Sequence, residues 1–165
     1  YSERKLLDIF QKICEKDDNV YVGIGTTVNS IKEIHKSYER ARTAYELTKA
    51  PIDKNILCYK ELGIYKILSD IKEEEIYPEF VKETLGKLMD YDEENGTDYV
   101  EILEAYFKNE CNIVETSKAL YCHKNTMAYK INKIKEVLGY DITSNENRMK
   151  IMVSFYIMRS RIGYR

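Results

Sequence analysis

Two predicted helices joined by a brief turn, within residues 112–138, constrain the fold of this chain more than any other feature. Asn112 and Glu115 have the N-cap and N3 spacing of a capping box, so a helix is predicted over 113–120. A second helix is predicted over 123–138. Helices joined by so short a turn must cross at a steep angle. The pattern favours an all-helical unit in the second half of the chain.

The two predicted helices divide into buried and exposed faces. In the first, Ala119 is expected to allow close approach and Leu120 to fill the shared core. In the second helix, where successive residues are rotated by about 100°, four apolar side chains fall on one side and form a stripe. The stripe consists of Met127, Ile131, Ile134 and Leu138. The opposite side carries Asn125, Tyr129, Asn132 and Lys133, with Thr126 and Lys130 to one side of it. Amides can pair with adenine edges and lysines with guanine or phosphate, so this face suits a DNA major groove.

Charge is unevenly distributed along the chain, although the formal net charge is only -2. Residues 70–104 hold thirteen acids against three lysines, a balance of -10. Residues 118–135 hold five lysines and no acid, and residues 147–165 hold four arginines, one lysine and no acid. A phosphate backbone responds to local charge, which favours nucleic-acid binding by these segments. The competing interpretation is an ordinary solvated lysine face.

The segment ETSKALYCHKNTMAYKINKIKEVLGYDI resembles the C-terminal helix-turn-helix of the PucR/CdaR (purine catabolism regulator and sugar diacid regulator) family. The family pattern runs roughly ETAxALxVHRNTLxYRLxxIxxLLGxDL, and the similarity extends upstream through LGKLMDYDEENGTDYVEILEAYFKNECN. Lys124 and Lys130 stand where the family has arginine, and Ser117 where it has alanine. Lysine keeps the attraction to phosphate but lacks the bidentate fork of arginine. The resemblance implies a cytoplasmic, sequence-specific DNA-binding transcription regulator that is not an enzyme and has no cofactor.

The candidate DNA-binding residues lie in and beside the second helix. Groove contacts are predicted for Asn125, Thr126, Tyr129 and Lys133, and phosphate contacts for Lys118, His123, Lys124 and Lys130. His123 is also expected to cap the second helix. No other histidine, cysteine or carboxylate has the spacing that would make it a metal ligand or a general base, so neither a metal site nor a catalytic residue is predicted.

The four cysteines (Cys14, Cys58, Cys111 and Cys122) are scattered through the sequence without a C-x-x-C pair. Reduced thiols are the prediction for a cytosolic protein, with a disulfide as the alternative.

The first half of the chain alternates helix and strand. Helices are predicted over 3–16, 30–49 and 62–68, and strands over 20–24 and 56–59. The stretch YVGIGTTVNSIKEIHKSYERARTAYELTKA, followed by ILCYKELGIYKIL, resembles the degenerate GGDEF-like domain that precedes the helix-turn-helix in many sugar diacid regulators. Two strands are too few for an independent sheet, so further strands are expected upstream of Tyr1. No GG(D/E)EF signature occurs in the sequence, and nothing in it supports cyclase chemistry. Gly23 and Gly25 are expected to end a strand.

The predicted fold class is α+β, with a partial GGDEF-like α/β domain followed by an all-helical helix-turn-helix domain. The regulatory domain is assigned to residues 1–69, an acidic helical connector to 70–97 and the DNA-binding domain to 98–165. Further helices are predicted over 78–89, 98–109 and 146–162, with a loop over 90–98.

An apolar stripe on the last helix is expected to be core, with a dimer surface as the alternative. It comprises Met149, Met152, Val153, Tyr156 and Ile157. Because helix-turn-helix proteins usually read paired half-sites, the expected partners are double-stranded DNA and a second copy of the chain.

A small-molecule effector is expected to be sensed upstream of this sequence, and no apolar run approaches the roughly 20 residues of a membrane span. The main alternative function is that of a signalling or interaction module built on the GGDEF-like domain. The third candidate function is that of a nucleotide-converting enzyme.

Overall fold

The computed structural model describes residues 3–17, 19–50, 54–71 and 75–160. Its first elements are α1 (Glu3–Cys14), β1 (Val22–Ile24), α2 (Ile34–Thr48), β2 (Ile56–Cys58) and α3 (Tyr65–Leu68), with 3-10 turns at Ile31–Glu33 and Tyr59–Glu61. They are followed by α4 (Ile76–Asn95), α5 (Tyr99–Lys108), α6 (Ile113–Ala119), α7 (Lys124–Leu138) and α8 (Asn145–Ser160). Contacts divide the chain into two compact units, residues 75–158 and the remainder.

The first unit contains a parallel pair of strands with a helix between them. Val22 pairs with Ile56 and Ile24 with Cys58, and α2 provides the crossover. Ala44 and Leu47 of α2 pack with Leu57 and Leu62 in a small core. The predicted order of helix, strand, helix, strand and helix is therefore confirmed, with strands shorter than expected. The GGDEF-like assignment stays a prediction.

Two glycines of the first unit allow a helix backbone to lie directly against β1. A β-carbon on Gly23 would lie 2.1 Å from the carbonyl oxygen of Ala41 and 2.3 Å from the amide nitrogen of Tyr45. A β-carbon on Gly25 would lie 2.2 Å from the carbonyl oxygen of Ser37. Gly23 lies inside β1 rather than at its end, so the prediction that it ends the strand is wrong. Its physical role is close packing against α2.

Gly23→Ala is expected to lower the free energy of unfolding of the first unit by about 1–3 kcal/mol, because α2 must move away from β1. The matched control is Gly86→Ala in α4, where the nearest atom to a new β-carbon is Cγ of Lys82 at 3.3 Å. That flexible side chain can shift, and removing a glycine from a helix interior should stabilise by about 0.5–1 kcal/mol. Denaturant titration measures both variants, and equal effects would contradict this account of Gly23.

The second unit is helical around one core. The buried core residues are Leu85, Leu88, Tyr99, Ile102, Leu103, Tyr106, Met127, Ile131, Ile134, Leu138, Ile142, Ile151 and Phe155. Helix α4 packs against α5 and α7, so most of the segment predicted as a connector packs with the helices that follow it. The predicted helices 98–109, 113–120 and 123–138 are confirmed to within about one residue at each end.

The prediction of a loop over residues 90–98 is wrong for residues 90–95, which are helical. Helix α4 continues to Asn95 and ends at Gly96, whose φ of 62° is left-handed and whose N–H donates to the carbonyl oxygen of Asp92. The acidic residues suggested a loop, but Leu85, Leu88 and the partly buried Tyr91 keep the helical period toward the core.

Helix α8 presents a different face to the core from the one predicted. Ile151 and Phe155 are buried there, whereas Met149 is 64% and Met152 40% exposed. The predicted assignment of these two methionines to the core is therefore wrong, although Ile157 is buried. Residues of the predicted helix beyond 160 lie outside the described residues.

The four cysteines are free thiols. Within the described ranges, no helix is both long and apolar enough to cross a membrane. The same residues contain no cluster of three histidine, cysteine or carboxylate side chains arranged to hold a metal ion.

Candidate nucleic-acid interface

Asn112 begins α6 as the predicted N-cap. Its side-chain oxygen accepts hydrogen bonds from the N–H groups of Val114 at 2.9 Å and Glu115 at 3.3 Å. The reciprocal half of the predicted capping box does not form. The Glu115 carboxylate instead pairs with Lys118 at 2.9 Å, while the N–H of Asn112 donates to the carbonyl oxygen of Asn109. The cap is thus one-sided.

The turn between α6 and α7 has the hydrogen bonds of a Schellman motif. The N–H of Cys122 donates to the carbonyl oxygen of Ser117 at 2.9 Å, and the N–H of Tyr121 donates to that of Lys118 at 3.2 Å. Tyr121 occupies the left-handed position, with a φ of 50°. These bonds satisfy carbonyls at the end of α6 and end that helix, so α7 begins only a few residues later.

His123 caps α7, as predicted. Its backbone is extended, and Nδ1 accepts a hydrogen bond from the N–H of Asn125 at 3.2 Å. With Nδ1 acting as acceptor, a neutral ring carries its proton on Nε2. His123 is exposed, so it can serve as cap and still offer a donor to an approaching anion.

Close packing of α6 occurs one turn earlier than predicted. Thr116 and Ser117 are buried, whereas Ala119 is exposed and Leu120 is 39% exposed. The roles predicted for Ala119 and Leu120 are therefore wrong, because Leu120 is the C-cap and leaves the inner face. The buried hydroxyls donate to carbonyl oxygens within the same segment, Thr116 to Asn112 at 2.7 Å and Ser117 to Val114 at 2.8 Å.

The buried stripe of α7 is confirmed. Met127, Ile131, Ile134 and Leu138 are each at most 3% exposed. On the other side, Lys124, Asn125 and Thr126 are exposed at the N-terminal turn, and Tyr129 is 66% exposed one turn later. The core therefore fixes which face of α7 meets solvent.

Two lysines predicted to contact phosphate have carboxylate partners. Lys118 pairs with Glu115, and the Lys130 Nζ lies 3.4 Å from Oδ1 of Asp98. Asp98 is the N-cap of α5 and lies 32 residues before Lys130. Counting acids in the sequence around Lys130 therefore did not reveal this partner. Exposed pairs of this kind contribute only about 0–1 kcal/mol, so a phosphate can replace them at small cost.

Lys133 is held beside α4. Its Nζ lies 3.1 Å from Oε2 of Glu136 and 6.0 Å from the ring centroid of Tyr91. The hydrogen bond to Glu136, and then its charge, raise the pKa of Lys133, so the side chain stays protonated at neutral pH. Lys124 forms no ion pair within the described part of the chain, which makes it the freer cation.

Asp92, which the sequence analysis did not single out, joins α4 to α5. Its carboxylate accepts hydrogen bonds from the Thr97 hydroxyl at 2.5 Å and from the N–H groups of Tyr99 at 2.9 Å and Val100 at 2.8 Å. The rings of Tyr91 and Tyr99 stack with centroids 5.6 Å apart. These contacts position the start of α5, from which Asp98 reaches α7. Their only sequence signal is a carboxylate a few residues before a new helix.

Tyr140 ties the segment after α7 to α4. Its hydroxyl donates to the carbonyl oxygen of Thr84 at 2.7 Å. Burial raises the pKa of this phenol above its usual value, so the donor keeps its proton at neutral pH. The N-terminal end of α7 is therefore held by the His123 cap, and the segment after its C-terminal end is held against α4.

Residues 99–157 match the family model of the PucR C-terminal helix-turn-helix domain. This segment is therefore similar to a PucR-type helix-turn-helix domain. It contains α5, α6, α7 and most of α8, so α4 lies before the PucR-type domain and packs against it. The relatives extend the similarity beyond the domain.

The proline-responsive transcriptional activator PutR of Bacillus subtilis is 28% identical over 92% of this chain and 37% of its own length. The DNA-binding transcriptional activator AdeR of the same organism is 28% identical over 82% of this chain and 33% of its own. The carbohydrate diacid regulator of Escherichia coli is 26% identical over 85% and 36%. The chain thus spans about a third of the length of these relatives. Together with the PucR-type domain, they support a DNA-binding regulator of the PucR type.

Proposed function

We propose that this chain is the DNA-reading part of a sequence-specific transcription regulator of the PucR/CdaR type, in which α7 enters the major groove. The exposed first turn of α7, carrying Lys124, Asn125 and Thr126 above a fully buried stripe, is the observation that carries the proposal. A groove reader needs this combination, because its base-contacting side chains must be oriented by a rigid core. No chemical reaction is proposed.

The eight predicted residues divide into two roles. Asn125, Thr126, Tyr129 and Lys133 read base edges, while Lys118, His123, Lys124 and Lys130 contact phosphates. The His123 Nε2–H and the positive end of the α7 dipole both favour an anion there. Lys118 and Lys130 exchange Glu115 and Asp98 for phosphate oxygens on binding. Lys133 would likewise exchange its pairing with Glu136 for a base edge.

A homodimer is the assembly we propose for the intact protein, acting on DNA in the cytoplasm. Two-fold pairing of helix-turn-helix units matches paired half-sites, and the exposed Met149 and Met152 on α8 offer apolar surface for it. The first unit is proposed to be part of a GGDEF-like regulatory domain, supported by its parallel strand pair and crossover helix. A small-molecule effector of the intact protein is part of the same proposal. Sedimentation of the intact protein as a monomer at high concentration would contradict the dimer.

Asn125→Ala and Lys124→Glu are expected to weaken DNA binding in different ways. Asn125→Ala should remove about 1–3 kcal/mol of discrimination, so affinity falls for a preferred duplex but little for a scrambled one. Lys124→Glu should weaken binding to both duplexes and lower the slope of log K against log salt by about one or more. Fluorescence anisotropy titrations at several salt concentrations measure both effects.

The matched control is Lys12→Glu on α1, which makes the same change in net charge at an exposed position of the first unit. It should leave affinity for both duplexes nearly unchanged. Equal losses for Asn125→Ala and Lys124→Glu on every duplex would defeat the division into base-reading and phosphate-binding residues.

A further inference from the structure

Tyr121 lies in the turn immediately before α7, and its folding role does not explain its side chain. Its φ of 50° is the left-handed conformation that a Schellman motif usually gives to glycine. A residue with a β-carbon is strained there. Glycine would make the same two backbone hydrogen bonds of the turn without that strain, so the turn itself does not require tyrosine.

Packing does not require tyrosine either. The Tyr121 side chain is 98% exposed, the most exposed of the large apolar and aromatic residues that the structure describes. Its hydroxyl has no hydrogen-bond partner within the described ranges. A strained backbone that holds a ring entirely in solvent is a feature expected at a binding surface rather than in a core.

The neighbours of Tyr121 indicate what it binds. Two residues later, His123 offers Nε2–H, and Lys124 and Asn125 follow on the exposed first turn of α7. We propose that Tyr121 is a further DNA contact, its hydroxyl donating to a phosphate oxygen and its ring covering the adjacent deoxyribose. This inference rests on the proposed function. Phosphate and sugar contacts position a protein on the duplex without reading sequence.

Neutrality distinguishes Tyr121 from the lysines. A lysine that binds phosphate releases a counterion, so its loss lowers the salt dependence of binding. A tyrosine releases none. Loss of Tyr121 should therefore lower affinity for every duplex while leaving the slope of log K against log salt unchanged.

The test compares Tyr121→Gly, Tyr121→Asn and Tyr121→Phe in the whole 165-residue chain, using a selected duplex and a scrambled one. Glycine and asparagine both accept the left-handed conformation, so each should raise the melting temperature by a few degrees. Both should weaken binding to the two duplexes alike, by about 5–30-fold for loss of a hydrogen bond and ring contact. Tyr121→Phe keeps the strain and the ring, and should lose only about 2–10-fold.

The variants separate a DNA contact from a structural role. If Tyr121→Gly binds as tightly as the wild type, the inference is overturned. Loss with glycine but not with asparagine would assign the effect to a loosened turn and would also overturn it, as would a reduced salt slope. If the wild-type chain binds neither duplex, the proposed function itself fails, and that result is distinct from wild-type binding that Tyr121 variants leave intact.

Discussion

Asp92→Ala is expected to lower the free energy of unfolding of the helical unit by about 2–4 kcal/mol. The substitution removes an acceptor shared by the Thr97 hydroxyl and the N–H groups of Tyr99 and Val100. Those two N–H groups belong to the first turn of α5, where the helix's own carbonyl oxygens cannot accept them. The start of α5 should fray, and with it the position of Asp98.

Asp90→Ala is the control, because Asp90 is an exposed aspartate on the same helix two residues earlier. It should change the free energy of unfolding by about 0.5 kcal/mol or less. Denaturant titration gives both values, and hydrogen exchange should show lost protection at Tyr99 and Val100 in the Asp92 variant alone. Similar losses for the two aspartates would contradict the capping role of Asp92.

Ile134→Ala is expected to cost about 2–5 kcal/mol, because it deletes a side chain with no exposed surface and leaves a cavity in the core of the helical unit. Ile134 belongs to the stripe that anchors α7, the helix proposed to read DNA. The exposed face of α7 keeps its residues, so DNA affinity per folded molecule should remain near that of the wild type at temperatures well below melting.

Ile76→Ala provides the comparison, since Ile76 opens α4 and is 44% exposed. It should cost about 1 kcal/mol or less. Thermal melting measures the stability of both variants, and anisotropy titration measures their affinity for DNA. A large loss of affinity in fully folded Ile134→Ala would mean that the core residue acts on DNA recognition beyond holding the fold.

Features determined by local pattern could be predicted from sequence. The apolar stripe of α7 follows from a period of 3.6 residues, and the positions of Asn112 and His123 as caps follow from the chemistry of helix starts. The parallel strands were detectable as short β-branched runs separated by a helix. Each of these depends on residues close together in the chain.

Features determined by distant contacts could not be predicted in the same way. Asp98 reaches Lys130 across the fold, so counting acids near the lysines missed the pair. The acidic sequence at the end of α4 is typical of a loop, and only the packing of Leu88 against the core shows that the helix continues. The inner face of α8 depends on which neighbouring helices surround it. Tyr121 stood out only after its backbone conformation and exposure were seen together.

The most direct measurement is selection of duplex DNA from a random pool by the whole chain, followed by anisotropy titration of the selected duplexes at several salt concentrations. The whole chain is used because a piece beginning at residue 98 would lack Leu85, Leu88 and Asp92 of α4. We expect enrichment of a defined motif, with affinity that falls steeply as salt rises. Uniform weak binding without enrichment of any motif would contradict sequence-specific reading by α7.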